Sequence, residues 1–184
     1  MKTNDFSDST ILFVDDEHDI LELMQSSPIS QDVGKVLVSD HPLKALELIK
    51  KERMDLVILD IAMPQMDGIT LLKEMRNIIP GLACIYLSGH ADKKYVQQAL
   101  RLGVHEFLDK PFGVEFLQVH IRKALEVVYY ERLLKDILEL FICENTTLDF
   151  SRYQQLSHAE KDHVIRAALA TTKLKIANRR ERAR

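Results

Sequence analysis

Residues 11–20 read ILFVDDEHDI, four apolar residues running directly into three consecutive acids. A run that is apolar at every position predicts a strand covered on both faces by helices, as the strands of a parallel sheet are. The same type of segment recurs. We expect strands at TILFV (10–14), KVLVS (35–39), DLVILD (55–60), ACIYLS (83–88) and HEFLD (105–109). Between them lie amphipathic segments: Leu43, Leu46 and Ile49 recur at helical spacing within 42–52, as do Leu71, Leu72, Met75 and Ile79 within 69–79. A further helix is expected over 92–103, from an Asp cap to Gly103. Five strands alternating with five helices over residues 10–125 predict an α/β, doubly wound, five-stranded parallel sheet.

Beyond Gly113 the remaining 71 residues contain no glycine, and beyond Pro111 no proline, so an all-helical extension is expected. Val127, Tyr130, Leu134, Ile137 and Phe141 follow one another at alternating steps of three and four, the seam of a coiled coil or helical hairpin within 114–144. A polar break over 145–151 follows. Ser157 and Glu160 then form a capping-box pattern opening a second helix over about 158–180. The domain reading is a tail over 1–9, an α/β domain over 10–125 and the extension over 126–184. Residues 151–184 carry nine basic and three acidic side chains against 16 and 25 in the first 150, so the two ends should prefer different partners. No apolar run approaches the ~20 residues that span a bilayer, and the polar start does not resemble a secretory leader, so a soluble, cytoplasmic protein is expected. Cys84 and Cys143 both sit in apolar surroundings and are expected to be buried free thiols.

In a doubly wound sheet, ligands gather where strands end at their C-terminal edge, near the point where strand order reverses. Asp15 and Asp16, Asp60, Ser88 and Lys110 fall at the ends of the first, third, fourth and fifth strands. Three carboxylates so placed raise one another's pKa unless a cation neutralises them, and an all-oxygen set suits Mg²⁺ or Mn²⁺. A carboxylate beside such a cation can attack a phosphoryl group, with Lys110 adding positive charge and Ser88 a hydrogen bond. Each residue has an ordinary reading too: Asp16 or Asp60 as a helix cap, Ser88 as a turn residue, Lys110 as a solvated charge. Order and spacing together favour the site.

The segments FVDDE (13–17), LDIAMPQMDG (59–68), LSG (87–89) and FLDKPF (107–112), in this order and at these separations, closely resemble the receiver domain of two-component response regulators. The resemblance implies a flavodoxin-like fold with strand order 2-1-3-4-5. It implies that Asp60 is the phosphoacceptor, with Mg²⁺ held by Asp15, Asp16, Asp60 and the backbone carbonyl of Ala62. It also implies phosphoryl contacts from Ser88 and Lys110, and a cis bond before Pro111. Ser88 and Phe107 would form the switch, while Ala62 and His90 would tune hydrolysis of the acyl phosphate. A sensor histidine kinase or phosphotransfer protein would be the donor. Glu17 is expected at the start of the following helix, where negative charge is favourable. The extension has neither a phosphate loop nor metal-ligand spacing, and no glycine for a helix-turn-helix, so no separate catalytic domain is expected. Its output is read as a homodimer through the long helix, or a downstream protein target, without membrane insertion. A second reading gives the basic tail (Lys173, Lys175, Arg179, Arg180, Arg182, Arg184) to nucleic acid; a third is a degenerate receiver that only binds.

Overall fold

The apolar runs divide between two faces residue by residue, because successive side chains of a strand point to opposite sides. In the computed structural model, which describes residues 6–89, 97, 99 and 101–182, the strands are β1 (Phe6–Val14), β2 (Val33–Ser39), β3 (Leu56–Asp60), β4 (Ala83–Ser88) and β5 (Glu106–Asp109). They form one parallel sheet in the order β2-β1-β3-β4-β5. Ile11, Phe13, Ile58 and Ile85 face α1 (His18–Ser26), α2 (Ile29–Asp32) and the first turns of α5 (Val114–Asn145). Leu12, Val57, Leu59 and Tyr86 face α3 (Pro42–Lys51) and α4 (Gly68–Ile78). This is the expected doubly wound, flavodoxin-like architecture. The helix expected over 92–103 lies largely outside the described residues; at its end Gly103 takes φ +62°, a left-handed value suited to glycine.

β1 begins at Phe6, four residues before the expected strand start at Thr10. Phe6 is buried among Met24, Ile29 and Val33 and pairs with Val33 across a register irregularity that ends at Thr10. Gly34 permits that approach, since a Cβ there would lie 1.9 Å from the Ser7 carbonyl oxygen. At the far end of the sheet the Arg76 guanidinium, on α4, donates to the Leu82 carbonyl at 2.9 and 3.0 Å and to the carbonyl of Leu102. It ties the segment before β4 to the one before β5.

The chain divides into two compact units between Val128 and Tyr129, inside the 32-residue helix α5. The second unit holds the rest of α5 with α6 (Phe150–Gln154) and α7 (His158–Arg182). Its core is Ile142, Phe150 and Tyr153, against which Leu138, Phe141, Val164 and Ile165 pack. The capping box at α7 forms: Glu160 Oε2 accepts from the Ser157 amide at 2.8 Å. Two expectations need correction. The polar break over 145–151 gives way at Phe150 to α6, which Asp149 caps by accepting from the Arg152 amide at 2.9 Å. Cys143 is exposed, not buried, because its neighbour Ile142 takes the inward position on α5. The seam residues Val127, Tyr130, Leu134 and Ile137 are 45, 48, 65 and 53% exposed, and Phe141 is half-buried. No helix among the described residues is long and apolar enough to cross a membrane.

Candidate functional site

Parallel strands deliver their terminal residues to one edge, and here that edge collects charge. Asp15 directly follows β1, Asp60 ends β3 and Ser88 ends β4; all three are buried, whereas Asp16 is exposed. Lys110 follows β5, its amide donating to the Ser88 carbonyl at 2.7 Å and its peptide bond to Pro111 cis. One carboxylate oxygen from each of Asp15, Asp16 and Asp60 lies within 4.8 Å of the others. The Lys110 ammonium reaches in from the β5 edge of the sheet, 2.7 Å from Asp15 Oδ2 and 3.2 Å from Asp60 Oδ1.

Local backbone geometry fixes these side chains. Asp15 Oδ1 accepts from the Glu17 amide at 3.0 Å, and Asp60 Oδ2 from the Ala62 amide at 3.0 Å. Beyond Asp60 the chain passes through Gln65, at φ +72°, and enters α4 at Gly68, where Asp67 caps the helix by accepting from the Thr70 amide at 2.7 Å. Gly68 is held from both sides: its amide donates to the Ile61 carbonyl at 3.0 Å, and its carbonyl accepts from the buried Tyr86 hydroxyl at 3.2 Å.

The electrostatics carry a surplus of negative charge. Burial pushes the Asp15 carboxyl above the ordinary carboxylate range; the Lys110 hydrogen bond and the Glu17 amide oppose this, and the neighbouring charge of Asp60 adds to it. Burial works against the Lys110 charge, but its hydrogen bonds to Asp15 and Glu17 and the charges of Asp15 and Asp60 outweigh that and raise its pKa. The negative surplus is one of number: Lys110 faces the carboxylates of Asp15, Asp60 and Glu17, with Asp16 beside them, so one ammonium does not neutralise the group. An all-oxygen donor set with a surplus of negative charge fits a hard divalent cation.

The structure thus brings together Asp15, Asp16, Asp60 and Lys110, with Ser88 beside them through the backbone. Phe107 is half-buried on the face of the sheet that α3 and α4 cover, two residues before β5 ends. Ala62 is exposed next to Asp60. His90 lies outside the described residues. Glu17 does more than begin α1: its Oε1 lies 3.0 Å from Lys110 Nζ. The available signal was a glutamate at an N-cap position, where shorter acceptors are the usual choice. In the basic tail, Lys175 is engaged at the C-terminus of α5, donating to the Glu144 carbonyl at 2.9 Å and to Asn145 Oδ1 at 3.2 Å. Lys173 and Arg179 are exposed, while the side chains of Arg180 and Arg182 and the whole of Arg184 lie outside the described residues.

Known proteins resemble this chain in sequence and in fold. The model of the response regulator receiver domain matches residues 11–122. Sporulation initiation phosphotransferase F of Bacillus subtilis (strain 168) is 30% identical over 115 residues, 62% of this chain and 92% of that protein. Regulatory protein AtoC of Escherichia coli (strain K12) is 32% identical over 117 residues, 64% of this chain but 25% of AtoC, which extends well beyond the shared segment. Among solved structures, a CheY-like receiver domain protein from Methanospirillum hungatei JF-1 matches with a TM-score of 0.63 at 26% identity, over 67% of this chain and 98% of that one. An adenylate cyclase from Rhodopirellula baltica matches with a TM-score of 0.66 at 26% identity, over 71% of this chain and 96% of that one. With the matched family covering more than half the chain and the sheet order that of the CheY-like fold, the chain belongs to the response regulators of two-component signalling, as a receiver domain followed by a helical extension.

Proposed function

We propose that Asp60 accepts a phosphoryl group from a sensor histidine kinase or phosphotransfer protein and that this event switches a protein-interaction output in the helical extension. The observation that carries the reading is the Lys110 ammonium set between Asp15 and Asp60, 2.7 and 3.2 Å away, at the ends of strands far apart in sequence. An Asp60 carboxylate oxygen attacks the phosphorus of a phosphohistidine, the phosphorus–nitrogen bond breaks, and its electron pair leaves on the imidazole nitrogen, which takes up a proton. Lys110 places positive charge against the phosphoryl oxygens, and the Ser88 hydroxyl adds a hydrogen bond. Mg²⁺, held by Asp15, Asp16, Asp60 and the Ala62 carbonyl, supplies the remaining positive charge when bound. The name of the phosphotransferase relative agrees with phosphoryl handling of this kind. Incubation with acetyl phosphate and Mg²⁺, followed by intact-mass measurement of the native chain and Asp60→Ala, tests the assignment.

The metal reading carries its own expectation. The raised carboxyl pKa of Asp15 means that the folded state holds its proton more tightly than the unfolded chain does. Stability from this group is therefore lost as pH rises above the ordinary carboxylate value, and at neutral pH the buried charge, with Asp60 beside it, is a penalty. Asp16→Asn removes one negative charge without touching a buried group, so it should raise the melting temperature in EDTA. It should also shrink the further rise that millimolar Mg²⁺ gives the native chain by binding the folded state. Thermal unfolding of both proteins with and without Mg²⁺ checks this; an undiminished Mg²⁺ effect would remove Asp16 from the metal-holding set.

For the output, the exposed seam Val127, Tyr130, Leu134 and Ile137 supports assembly through α5. Beryllofluoride with Mg²⁺, a mimic of the phosphoryl group, should shift the protein from monomer to dimer in sedimentation velocity, and Leu134→Glu should abolish the shift. A native chain whose sedimentation ignores beryllofluoride would rule out a dimer switch.

A further inference from the structure

Lys110 has three carboxylate partners, and they are not equivalent. Asp15 and Asp60 belong to the trio whose oxygens gather within 4.8 Å of one another, whereas Glu17 stands outside it. We infer that Glu17 is a positioning residue for Lys110, giving the ammonium a partner that stays available when Asp15 and Asp60 turn toward a divalent cation. The inference rests on the proposed cation and phosphoryl site.

The local structure argues for this role. Glu17 occupies the N-cap of α1, where Asp, Asn, Ser or Thr would fold back onto the helix's own amides. Its side chain makes no such bond. It extends instead to a residue 93 positions away, placing Oε1 3.0 Å from Lys110 Nζ. Its backbone is pinned to the site, because its amide donates to Asp15 Oδ1 at 3.0 Å. The pair is also oriented for the purpose: the lysine side chain is 13% exposed and the glutamate 62%, so Glu17 closes over the ammonium from the solvent side.

Competition follows. An ammonium paired only with Asp15 and Asp60 would have to give up both partners for a cation to bind, and would then sit unpaired beside it. Glu17 lets the lysine exchange those partners for one the cation does not need. Without it, Lys110 falls back onto Asp15 and Asp60 and opposes cation binding.

Calorimetric titration with Mg²⁺ tests this in about 0.5 M salt, where screening over roughly 4 Å suppresses the long-range effect of one exposed charge. Glu17→Gln should weaken binding about fivefold, in keeping with the modest worth of a partly exposed charged hydrogen bond. Glu17→Asp should weaken it about as much, because its carboxylate is one methylene short of Lys110. In a Lys110→Ala background, Glu17→Gln should change the affinity by less than about twofold. Equal losses with and without Lys110, or full affinity in Glu17→Asp, would overturn the inference and make Glu17 a charge acting on its own. A native chain that binds no Mg²⁺ would overturn the cation site and this role with it. A native chain that binds Mg²⁺ and is labelled on Asp60, with Glu17→Gln unchanged, would overturn the Glu17 role alone.

Discussion

Asp60→Ala will take up no phosphoryl group under conditions in which acetyl phosphate and Mg²⁺ give the native chain a mass gain of one. The other carboxylates at the rim are poorly placed to substitute. Asp15 is the more tightly held by the lysine, its Oδ2 2.7 Å from the Lys110 ammonium against 3.2 Å for Asp60, and Asp16 is exposed. Asp60 presents Oδ1 toward Lys110 while Oδ2 is steadied by the Ala62 amide, so its position is set before any donor arrives. The loss should be complete, and a mutant that gained the same mass would refute the assignment. Asp60→Asn keeps an acceptor for the Ala62 amide and removes only the nucleophilic charge. It should be equally unlabelled and at least as stable as the native chain, which separates chemistry from folding.

The second large effect is expected at a residue with no side chain. A Cβ on Gly68 would lie 2.2 Å from the Asp60 carbonyl oxygen, 3.1 Å from its carbon and 3.2 Å from Ile61 Cα. All three are backbone atoms, and none can swing aside. Gly68 is bonded to the Ile61 carbonyl on one side and to the Tyr86 hydroxyl on the other, so it cannot retreat either. Gly68→Ala should therefore destabilise by about 3 kcal/mol, the upper part of the range for overpacking. Any relaxation must move the end of β3 and carry Asp60 with it. A displacement of about 1 Å at a reacting group slows its chemistry on the order of a hundredfold, so labelling should fall steeply even in the folded fraction. Gly113→Ala is the control: its Cβ would meet only Glu115 Oε2 at 3.6 Å, an ordinary contact. Equal denaturation midpoints for the two variants would show that α4 can shift without cost.

Much of this is legible in the sequence. Strands buried on both faces are written as continuous apolar runs, and the rule that parallel strands share a C-terminal edge brings Asp15, Asp60, Ser88 and Lys110 together from positions up to 95 residues apart. The start of α7 was readable because Ser157 and Glu160 cap each other locally. What escaped depends on partners distant in sequence. The polar residues Ser7, Asp8 and Ser9 hide the early start of β1, which Phe6 earns only by burial against Met24 and Ile29. α6 has two apolar anchors, Phe150 and Tyr153, whose burial exists only once α5 and α7 enclose them. The reach of Glu17 to Lys110, like that of Arg76 to the carbonyls of Leu82 and Leu102, is a property of the assembled fold.

The two cysteines, which play no part in the chemistry, differ in a way that is useful. Cys84 lies inside the sheet, and burial pushes its thiol far above the ordinary range, so it will not react with electrophiles. Cys143 faces solvent near the end of α5. The natural sequence therefore comes with a single addressable thiol on the helix proposed to pair. A spin label or fluorophore attached there would report the approach of two copies through the distance between the labels, in the unaltered chain and in real time as phosphoryl groups arrive and are lost.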